Sequence, residues 1–256
     1  MDLHLRIEPR SLLCFIGALF ALEVLFVAAH LVLFAVAPES GLRFMFNLDK
    51  EVNFPSYFSA LQLFLIGLVL TLLAPLTVAR ERVPAWFLIL GGVGFFFLSA
   101  DEMLSLHERL TRNLANIEWM PRFRDDHGIW IFIYLPLLVL GGALFWRPLL
   151  ALWRVRKGAI KLGLLGAALV VAGAVGVEIP SYVFQLRDTT GWVYPLQVAV
   201  EEFLEMVGGT VILWSALRIC LDRAMGRASA EVPVPVARHR RSHRLVAVEG
   251  PAQAGR

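Results

Sequence analysis

The chain has 256 residues, 58% of them hydrophobic, and a mean hydropathy of +0.67. A soluble domain of this length needs a much more polar surface, so the composition excludes a soluble globular protein and predicts an integral membrane protein. The formal net charge of +3 is small and arises from basic loops and a basic C-terminal end, so it requires no nucleic-acid partner.

Six apolar segments are long enough to cross a hydrocarbon core about 30 Å thick, which takes roughly 20 helical residues. No segment alternates strictly between apolar and polar residues over about ten positions, as a strand of a membrane barrel would. We therefore expect an all-α polytopic membrane protein with six transmembrane helices in a bundle. The segments cover approximately residues 12–37, 55–78, 84–106, 129–146, 160–184 and 194–221.

Basic residues set the expected orientation of these helices. With the N-terminus in the cytoplasm, that side of the membrane holds 17 of the 24 Lys and Arg residues and the other side holds 7. We therefore expect both termini to be cytoplasmic. Residues 1–223 form the predicted transmembrane domain. Residues 224–256 lack aromatic residues and are rich in arginine, which predicts a disordered basic cytoplasmic tail.

The first segment carries Glu23 and His30, which are seven residues apart and so lie on one face of a helix. An ionisable group near the middle of a membrane is costly unless it is paired, neutral or in contact with water. The favoured interpretation is structural: a protonated Glu23 bonds to a neighbouring helix, and His30 is a satisfied buried histidine. The alternative is a proton path toward the acidic residues described below.

The loop before the second segment ends in Glu51, Asn53 and Pro55. Pro55 suits the first turn of a helix, with Asn53 or Phe54 near the N-cap. Glu51 and Asn53 therefore either start this helix or form the rim of a site.

The third segment ends in a run of polar residues. Asp101 lies about 25 Å of helix rise above the inner end of the segment, which places it in the outer third of the bilayer. On a continuous helix Asp101, Ser105 and Glu108 share one face, whereas Glu102 and His107 point elsewhere. Either the outer turn of this helix deforms, or only a subset of these residues acts together.

Two further segments bring carboxylates to the same depth. Glu178 lies about 25 Å above the inner end of the fifth segment, and the acids of the sixth lie about 10 to 17 Å below its outer end. In the sixth segment, Glu205 is one turn from both Glu201 and Glu202. The outer third of the predicted bundle therefore gathers acids from three helices.

This set of residues predicts a metal site. Isolated carboxylates at that depth repel one another unless they are protonated, paired with bases or bound to a cation. Because bases are few there, a divalent metal ion, zinc or iron, is the most economical explanation. Glu202-x-x-Glu205 lacks the histidine of the Glu-x-x-His pattern of di-iron bundles, so a proton-shared carboxylate network and purely structural packing stay as alternatives. The predicted ligands are Asp101, Glu102, His107, Glu108, Glu178, Glu201, Glu202 and Glu205.

Three motifs resemble an uncharacterised family of bacterial multi-pass membrane proteins. They are Leu48-Asp49-x-Glu51-x-Asn53-x-Pro55-Ser56-x-Phe58-Ser59, Leu98-Ser99-x-Asp101-Glu102-x-x-Ser105-x-His107-Glu108 and Glu201-Glu202-x-x-Glu205-Met206-x-Gly208. The resemblance covers most of the chain except the tail. It implies a bacterial inner (plasma) membrane location and no particular activity.

A second likeness is to the alkaline ceramidase and adiponectin-receptor superfamily, membrane hydrolases that hold zinc with histidines inside a seven-helix bundle. The serine, aspartate and histidine of the third segment are similar. This chain lacks the late His-x-x-x-His of that superfamily and has six predicted helices, so the likeness is an analogy.

Three functional classes fit these observations. The preferred one is a metal-dependent membrane enzyme that acts on a lipid or lipid-linked substrate, with Asp101, Glu202 and Ser105 as catalytic residues. The second is a cation- or proton-coupled transporter in which Glu23 and His30 continue the route inward, although no inverted repeat is evident. The third is a structural or assembly subunit of a membrane complex, whose acids only fix helix packing. Membrane lipids are the expected partners in each case.

Overall fold

The computed structural model describes residues 9–81, 83–123, 127–186 and 191–224. These residues form helices and contain no β-strand, so the predicted all-α fold is confirmed. The predicted tail lies outside the described residues apart from Ala224. The helices are α1 (Pro9–Val36), α2 (Gly41–Met45), α3 (Phe54–Glu81), α4 (Ala85–Leu104), α5 (Leu106–Leu114), α6 (Ile131–Val171), a π-helical segment (Ala172–Val177), α7 (Glu178–Val183) and α8 (Val193–Ala224).

Among the described residues, five helical segments are long and apolar enough to cross a membrane, where six were predicted. Their outward surfaces expose large apolar side chains such as Leu137, Val139 and Leu140. A hydrocarbon environment suits such a surface, whereas water does not. The segments are Arg10–Val36, Phe54–Pro75, Ala85–Leu104, Ile129–Val183 and Val193–Asp222.

The fourth and fifth predicted segments meet at a kink, and the residues between 146 and 160, which were expected to form a loop, are helical on both sides of it. Helix α6 continues through this region because it is rich in leucine and alanine, which are good helix formers, and because Leu152 is buried in the core. Its regular geometry breaks at Arg156, where φ is −131° and ψ is 41°. Residues 131–155 and 157–171 are named the first and second arms of α6.

The first arm of α6 runs antiparallel to α4. Phe145 packs edge-on against Phe87 near the start of α4, with ring centroids 5.3 Å apart. Tyr134 lies at the other end of the arm and contacts Phe97, 6.0 Å away, near the end of α4.

The second arm of α6 runs antiparallel to α8, and glycines allow the close approach. A Cβ atom on Gly166 would lie 2.6 Å from the carbonyl oxygen of Gly208. Farther along, Gly173 packs against the backbone of Glu201 in the same way. Small residues at helix crossings are typical of membrane bundles, because they let backbones pack directly. This packing carries Glu178 toward the acids of α8.

Helices α3 and α4 are antiparallel neighbours that also pack through glycines. A Cβ atom on Gly92 would lie 2.9 Å from the carbonyl oxygen of Gly67. Near the C-terminal end of α4, the buried hydroxyl of Ser99 donates a hydrogen bond to the carbonyl of Ala60 at 2.7 Å. Helix α1 packs against α8 and bonds to α3 through a buried polar cluster described below.

Asn53 fixes the loop that precedes α3. Its side-chain amide donates to the carbonyl oxygens of Asn47 and Lys50, both at 2.7 Å, and its Oδ1 accepts from the backbone N–H of Ser56 at 3.2 Å. Asn53 is therefore the N-cap of α3 and the anchor of the loop. The neighbouring Val52 has a φ of 62°, an unusual conformation for a β-branched residue.

Candidate functional site

Helix α4 ends in a sharp break at Ser105, and this break positions the side chains of the site. Ser105 has φ 53° and ψ 43°, in the left-handed region, and its backbone N–H donates to the carbonyl of Asp101. The chain then starts α5 in a new direction. As a result, the backbone N–H of His107 donates to Oδ1 of Asp101 at 2.8 Å, and the ring Nδ1 lies 3.2 Å from Oδ2. The helix therefore deforms, and the side chains of Asp101 and His107 meet. On a straight helix they would point in different directions.

Asp101 and His107 belong to a chain of four polar groups. Asp101 is buried and also accepts a hydrogen bond from the hydroxyl of Tyr134 at 3.2 Å. On the other side of the imidazole, Nε2 of His107 lies 3.6 Å from Oε1 of Glu51. The ring of Trp130 packs edge-on against His107. The predicted site included neither Tyr134 nor Trp130, because both lie near the start of α6, far from the other site residues in the sequence.

The pKa values of His107 and Glu51 reflect this arrangement. Burial alone would lower the pKa of His107, but the hydrogen bond to Asp101 and the negative charges of Asp101, Glu51 and Glu178 raise that pKa to about 9. Burial raises the pKa of Glu51 to about 7, against the opposing effect of the positive charge on His107. Near neutral pH the imidazole is therefore a cation held between carboxyl groups.

A cavity of about 450 Å³ lies beside this chain of groups, a volume that suits a small ligand. The end of the α2–α3 loop, α3, α4, α5, the end of α6, α7 and α8 contribute to its walls. Acidic side chains predominate over basic ones. Of the described residues, the acids that line it are Asp49, Glu51, Asp101, Glu102, Glu108, Glu178, Glu201, Glu202 and Glu205, and the bases are Lys50, His107, Arg112 and His127.

The structure thus brings all eight predicted metal ligands to the wall of one cavity. Ser105, predicted as catalytic, is not among the lining residues; its place in the structure is the break between α4 and α5. Glu108 is exposed and pairs with Arg112 at 3.1 Å, as adjacent turns of a helix allow.

Several cavity acids accept hydrogen bonds from neutral side chains. The hydroxyl of Tyr194 donates to Asp49, and that of Tyr182 donates to Glu178. Gln197 donates to Glu201, one turn away on α8. These neutral donors were missing from the predicted site, although the four-residue spacings of Tyr182 and Gln197 from their acids are a signal that the sequence contains.

The π-helical segment places Glu178 at the cavity. Its wider turn lies directly before Glu178, where Gly173 rests against the backbone of Glu201 and the side chain of Glu205. A Cβ atom at Gly173 would come within 2.8 Å of Cγ of Glu205. Short π-helical segments are frequent at functional sites, where they redirect side chains.

Glu102, Glu202 and Glu205 differ from the other cavity acids. In the described part of the chain, they make no hydrogen bond or ion pair with another side chain, although they lie within electrostatic range of one another. Within the described residues, no group of three or more His, Cys, Asp or Glu side chains is already arranged to hold a metal ion. The zinc or iron site therefore stays a prediction.

Glu23 and His30 are on α1 and do not line the cavity. Glu23 is completely buried, and its Oε1 accepts hydrogen bonds from Gln62 at 3.0 Å and from Thr210 at 2.6 Å. Nδ1 of His30 accepts from the backbone N–H of Leu48 at 3.1 Å. The hydrogen bonds of Glu23 to two neighbouring helices fit the structural interpretation, whereas Nε2 of His30 is buried without a hydrogen-bond partner in the described structure. Gln62 also lines the cavity, so Glu23 is one side chain away from it.

An apolar groove of about 600 Å³ adjoins the cavity. Ile179 in the groove follows Glu178 in the cavity, and Phe123 in the groove stacks on Tyr182, which lines the cavity, at 5.6 Å. The polar and apolar spaces therefore share a wall. The groove is lined by Phe123, Ile131, Phe132, Leu135, Pro136, Val139, Leu140, Ala143 and Ile179.

Comparison with known proteins gives one match. A family model described as a domain of unknown function (DUF8692) matches residues 18–221, a range that contains every predicted site residue. No curated protein and no solved structure matches the chain.

Proposed function

The chain belongs to the DUF8692 family, a family of unknown function, and we propose that it is a membrane enzyme that binds a divalent cation in its acid-lined cavity and acts on the headgroup of a lipid. The observation that carries the proposal is the trio Glu102, Glu202 and Glu205, which face the cavity without a partner among the described side chains. Ionised carboxylates in such a place repel one another, and a bound cation relieves that repulsion.

The available donor atoms favour a hard cation. His107 is already held between Asp101 and Glu51, so the ligands without a partner are carboxylate oxygens. Such oxygens suit Mg²⁺ or Mn²⁺ better than the zinc or iron that the sequence alone suggested. A cation of this kind supplies Lewis-acid chemistry and lowers the pKa of bound water. The buried Asp101 and the charged His107 hold and orient a proton at the edge of the same cavity.

A lipid substrate accounts for the two adjoining spaces. The cavity of about 450 Å³ is far larger than one ion and leaves room for a polar headgroup. The groove beside it is almost entirely apolar and lies on the surface of a membrane-spanning segment. An amphiphile with its headgroup in the cavity and its acyl chain in the groove matches both spaces.

We also infer six membrane crossings, with Ile129–Val183 crossing twice. A straight helix of 55 residues would be about 80 Å long, far more than the hydrocarbon core of about 30 Å. The break at Arg156 supports a reversal there, as do the antiparallel contacts of the first arm with α4 and of the second arm with α8. With both termini cytoplasmic, as the basic residues predict, the cavity lies in the periplasmic half of a bacterial inner membrane. Reporter fusions at residues 156 and 224 should both report the cytoplasm.

Proton- or cation-coupled transport is the second candidate function. The observation in its favour is that Gln62 lines the cavity and also bonds to Glu23 near the middle of α1. A polar route from the cavity toward the membrane interior is a feature that a transporter needs and a lipid hydrolase does not.

Binding of Mn²⁺ to the full chain in lipid nanodiscs, measured by electron paramagnetic resonance, tests the proposal. The wild-type protein should bind Mn²⁺, and Glu202→Gln should weaken binding at least about tenfold, or about 1.4 kcal/mol. Glu118→Gln, an equal charge change at an exposed residue outside the cavity, is the matched control. Absence of binding in folded protein, or equal weakening in the control, would overturn the proposal. Headgroup release from nanodisc lipids, against ion flux in liposomes, then separates the enzyme from the transporter.

A further inference from the structure

The two carboxyl oxygens of Glu23 differ in their hydrogen bonding. Oε1 accepts two hydrogen bonds, from Nε2 of Gln62 and Oγ1 of Thr210. Oε2 is buried and has no hydrogen-bond partner in the described structure. The side chain as a whole has 0% exposure. Because α1 spans Pro9–Val36, Glu23 lies close to the middle of a membrane crossing, about 20 Å from the start of the helix.

The charged groups around Glu23 do not compensate a negative charge. On α1 itself the nearest ionisable group is His30, two turns away and bonded to the loop backbone. The apolar part of α3, Phe54–Pro75, carries no ionisable side chain except Tyr57. On α8 the groups on either side of Thr210 are Glu205, which is itself acidic, and Arg218, two turns farther inward.

Burial without a compensating cation favours the neutral carboxylic acid. The hydrogen-bond pattern agrees, because both donors converge on Oε1, the expected carbonyl oxygen of the acid. Oε2 is then the oxygen that carries the proton.

Gln62 separates this carboxyl group from the acid-lined cavity. Its Nε2 atom bonds to Glu23, whereas its Oε1 atom lies on the side of Gly209, where a Cβ atom would be 3.3 Å away. Gln62 and Gly209 both line the cavity. A rotation of the Gln62 side chain is the movement that would let cavity water reach the carboxyl group of Glu23.

We propose that Glu23 is a proton-binding site that exchanges its proton with the acid-lined cavity past Gln62. In the exchange, the O–H bond at Oε2 breaks and the proton passes to a water molecule that has entered from the cavity. The carboxylate left behind keeps the hydrogen bond from Thr210 and regains the one from Gln62 when that side chain rotates back, and both bonds stabilise its charge. Such a site gives the protein a means of linking the state of the cavity to the proton concentration, whatever chemistry the cavity performs.

Infrared difference spectroscopy of the full chain in nanodiscs tests this proposal. A protonated carboxyl group in an apolar setting has a separate C=O stretching band, which shifts when H₂O is replaced by D₂O. The wild-type protein should show such a band. The whole band should shift after exchange into D₂O, and its intensity should fall as the pH is raised. Glu23→Gln, which is nearly isosteric, should lack the band. A spectrum unchanged by Glu23→Gln, or a band that responds to neither D₂O nor pH, would overturn the proposal.

Two further variants keep the test independent of the folding of Glu23→Gln. Thr210→Val removes one donor to Oε1 without changing the volume much, so the same band should move to higher frequency. Gln62→Leu should keep the band but change its rate of exchange at least about tenfold, whereas Ser59→Ala, also in the cavity wall on α3, should leave that rate unchanged. An unaltered rate in Gln62→Leu would exclude the route past Gln62. None of these readouts requires cation binding, so they fail or succeed separately from the proposed enzyme function.

Discussion

The link between Asp101 and His107 leads to a sharp prediction for Asp101→Asn. The substitution keeps the shape of the side chain and the acceptor for the backbone N–H of His107. It removes the negative charge and places an amide N–H₂ group where Oδ2 now faces the ring Nδ1 at 3.2 Å. A protonated imidazole would then meet a donor instead of an acceptor.

The size of the effect follows from the pKa of His107. That pKa is about 9, against an ordinary value of 6.5, in spite of burial, which opposes the charge. The difference corresponds to roughly 3 kcal/mol of preferential interaction with the protonated ring. Because the pKa is raised on folding, this stabilisation is fully present below about pH 6.5 and is lost as the pH rises through about 9. In Asp101→Asn the pKa of His107 should fall toward 6.5, and most of this pH dependence should disappear.

Histidine-labelled protein in nanodiscs allows a direct measurement by NMR. The imidazole signal that is missing in His107→Asn identifies His107, and its titration gives the pKa in each variant. Thermal unfolding at pH 6 and pH 9 provides the second readout, with Glu118→Gln as the control for loss of one negative charge. A His107 that titrates near 6.5 in the wild-type protein, or equally in both proteins, would refute the reasoning.

Three further predictions concern packing, capping and the cavity. Gly166→Ala should lower the free energy of unfolding by about 1–3 kcal/mol, because the added Cβ would lie 2.6 Å from the carbonyl oxygen of Gly208. Gly141→Ala should leave it unchanged in the same unfolding measurement, because no atom lies within 4 Å of a Cβ there. Asn53→Ala should lower the free energy of unfolding by roughly 2 kcal/mol. It should also speed backbone hydrogen exchange in the loop that Asn53 anchors. Affinity for Mn²⁺ should rise as the pH increases through about 7, where Glu51 becomes ionised, and Glu51→Gln should abolish that part of the dependence in equilibrium dialysis.

The depth of the site could be predicted from the sequence because the rise of a helix varies little. Counting 1.5 Å per residue placed Asp101, Glu178 and Glu202 at one level, and the structure brings all three to one cavity. The sequence also placed Asn53 or Phe54 at the N-cap of α3, because asparagine is common at the N-cap and proline in the first helical turn.

The local backbone conformations that aim the side chains could not be predicted. A left-handed residue at a helix break is usually glycine or asparagine, whereas here it is Ser105, so the sequence offered no sign that His107 turns back to Asp101. Arg156 likewise sits among helix-forming residues, and hydropathy predicted a loop of several residues where the regular helix geometry breaks at a single position. Partners such as Tyr134 depend on tertiary packing that periodicity does not encode.

The π-helical segment Ala172–Val177 also bears on how this family can vary in length. A π turn holds one residue more than the α-helical turn it replaces, so the helices on either side keep their faces in phase despite the additional residue. A chain one residue shorter between positions 172 and 177 is expected to close into an uninterrupted α-helix that still directs Glu178 inward. The same deletion one turn later would rotate everything beyond it by about 100°. The π turn is therefore the place where we expect the loss of one residue to leave Glu178 in position.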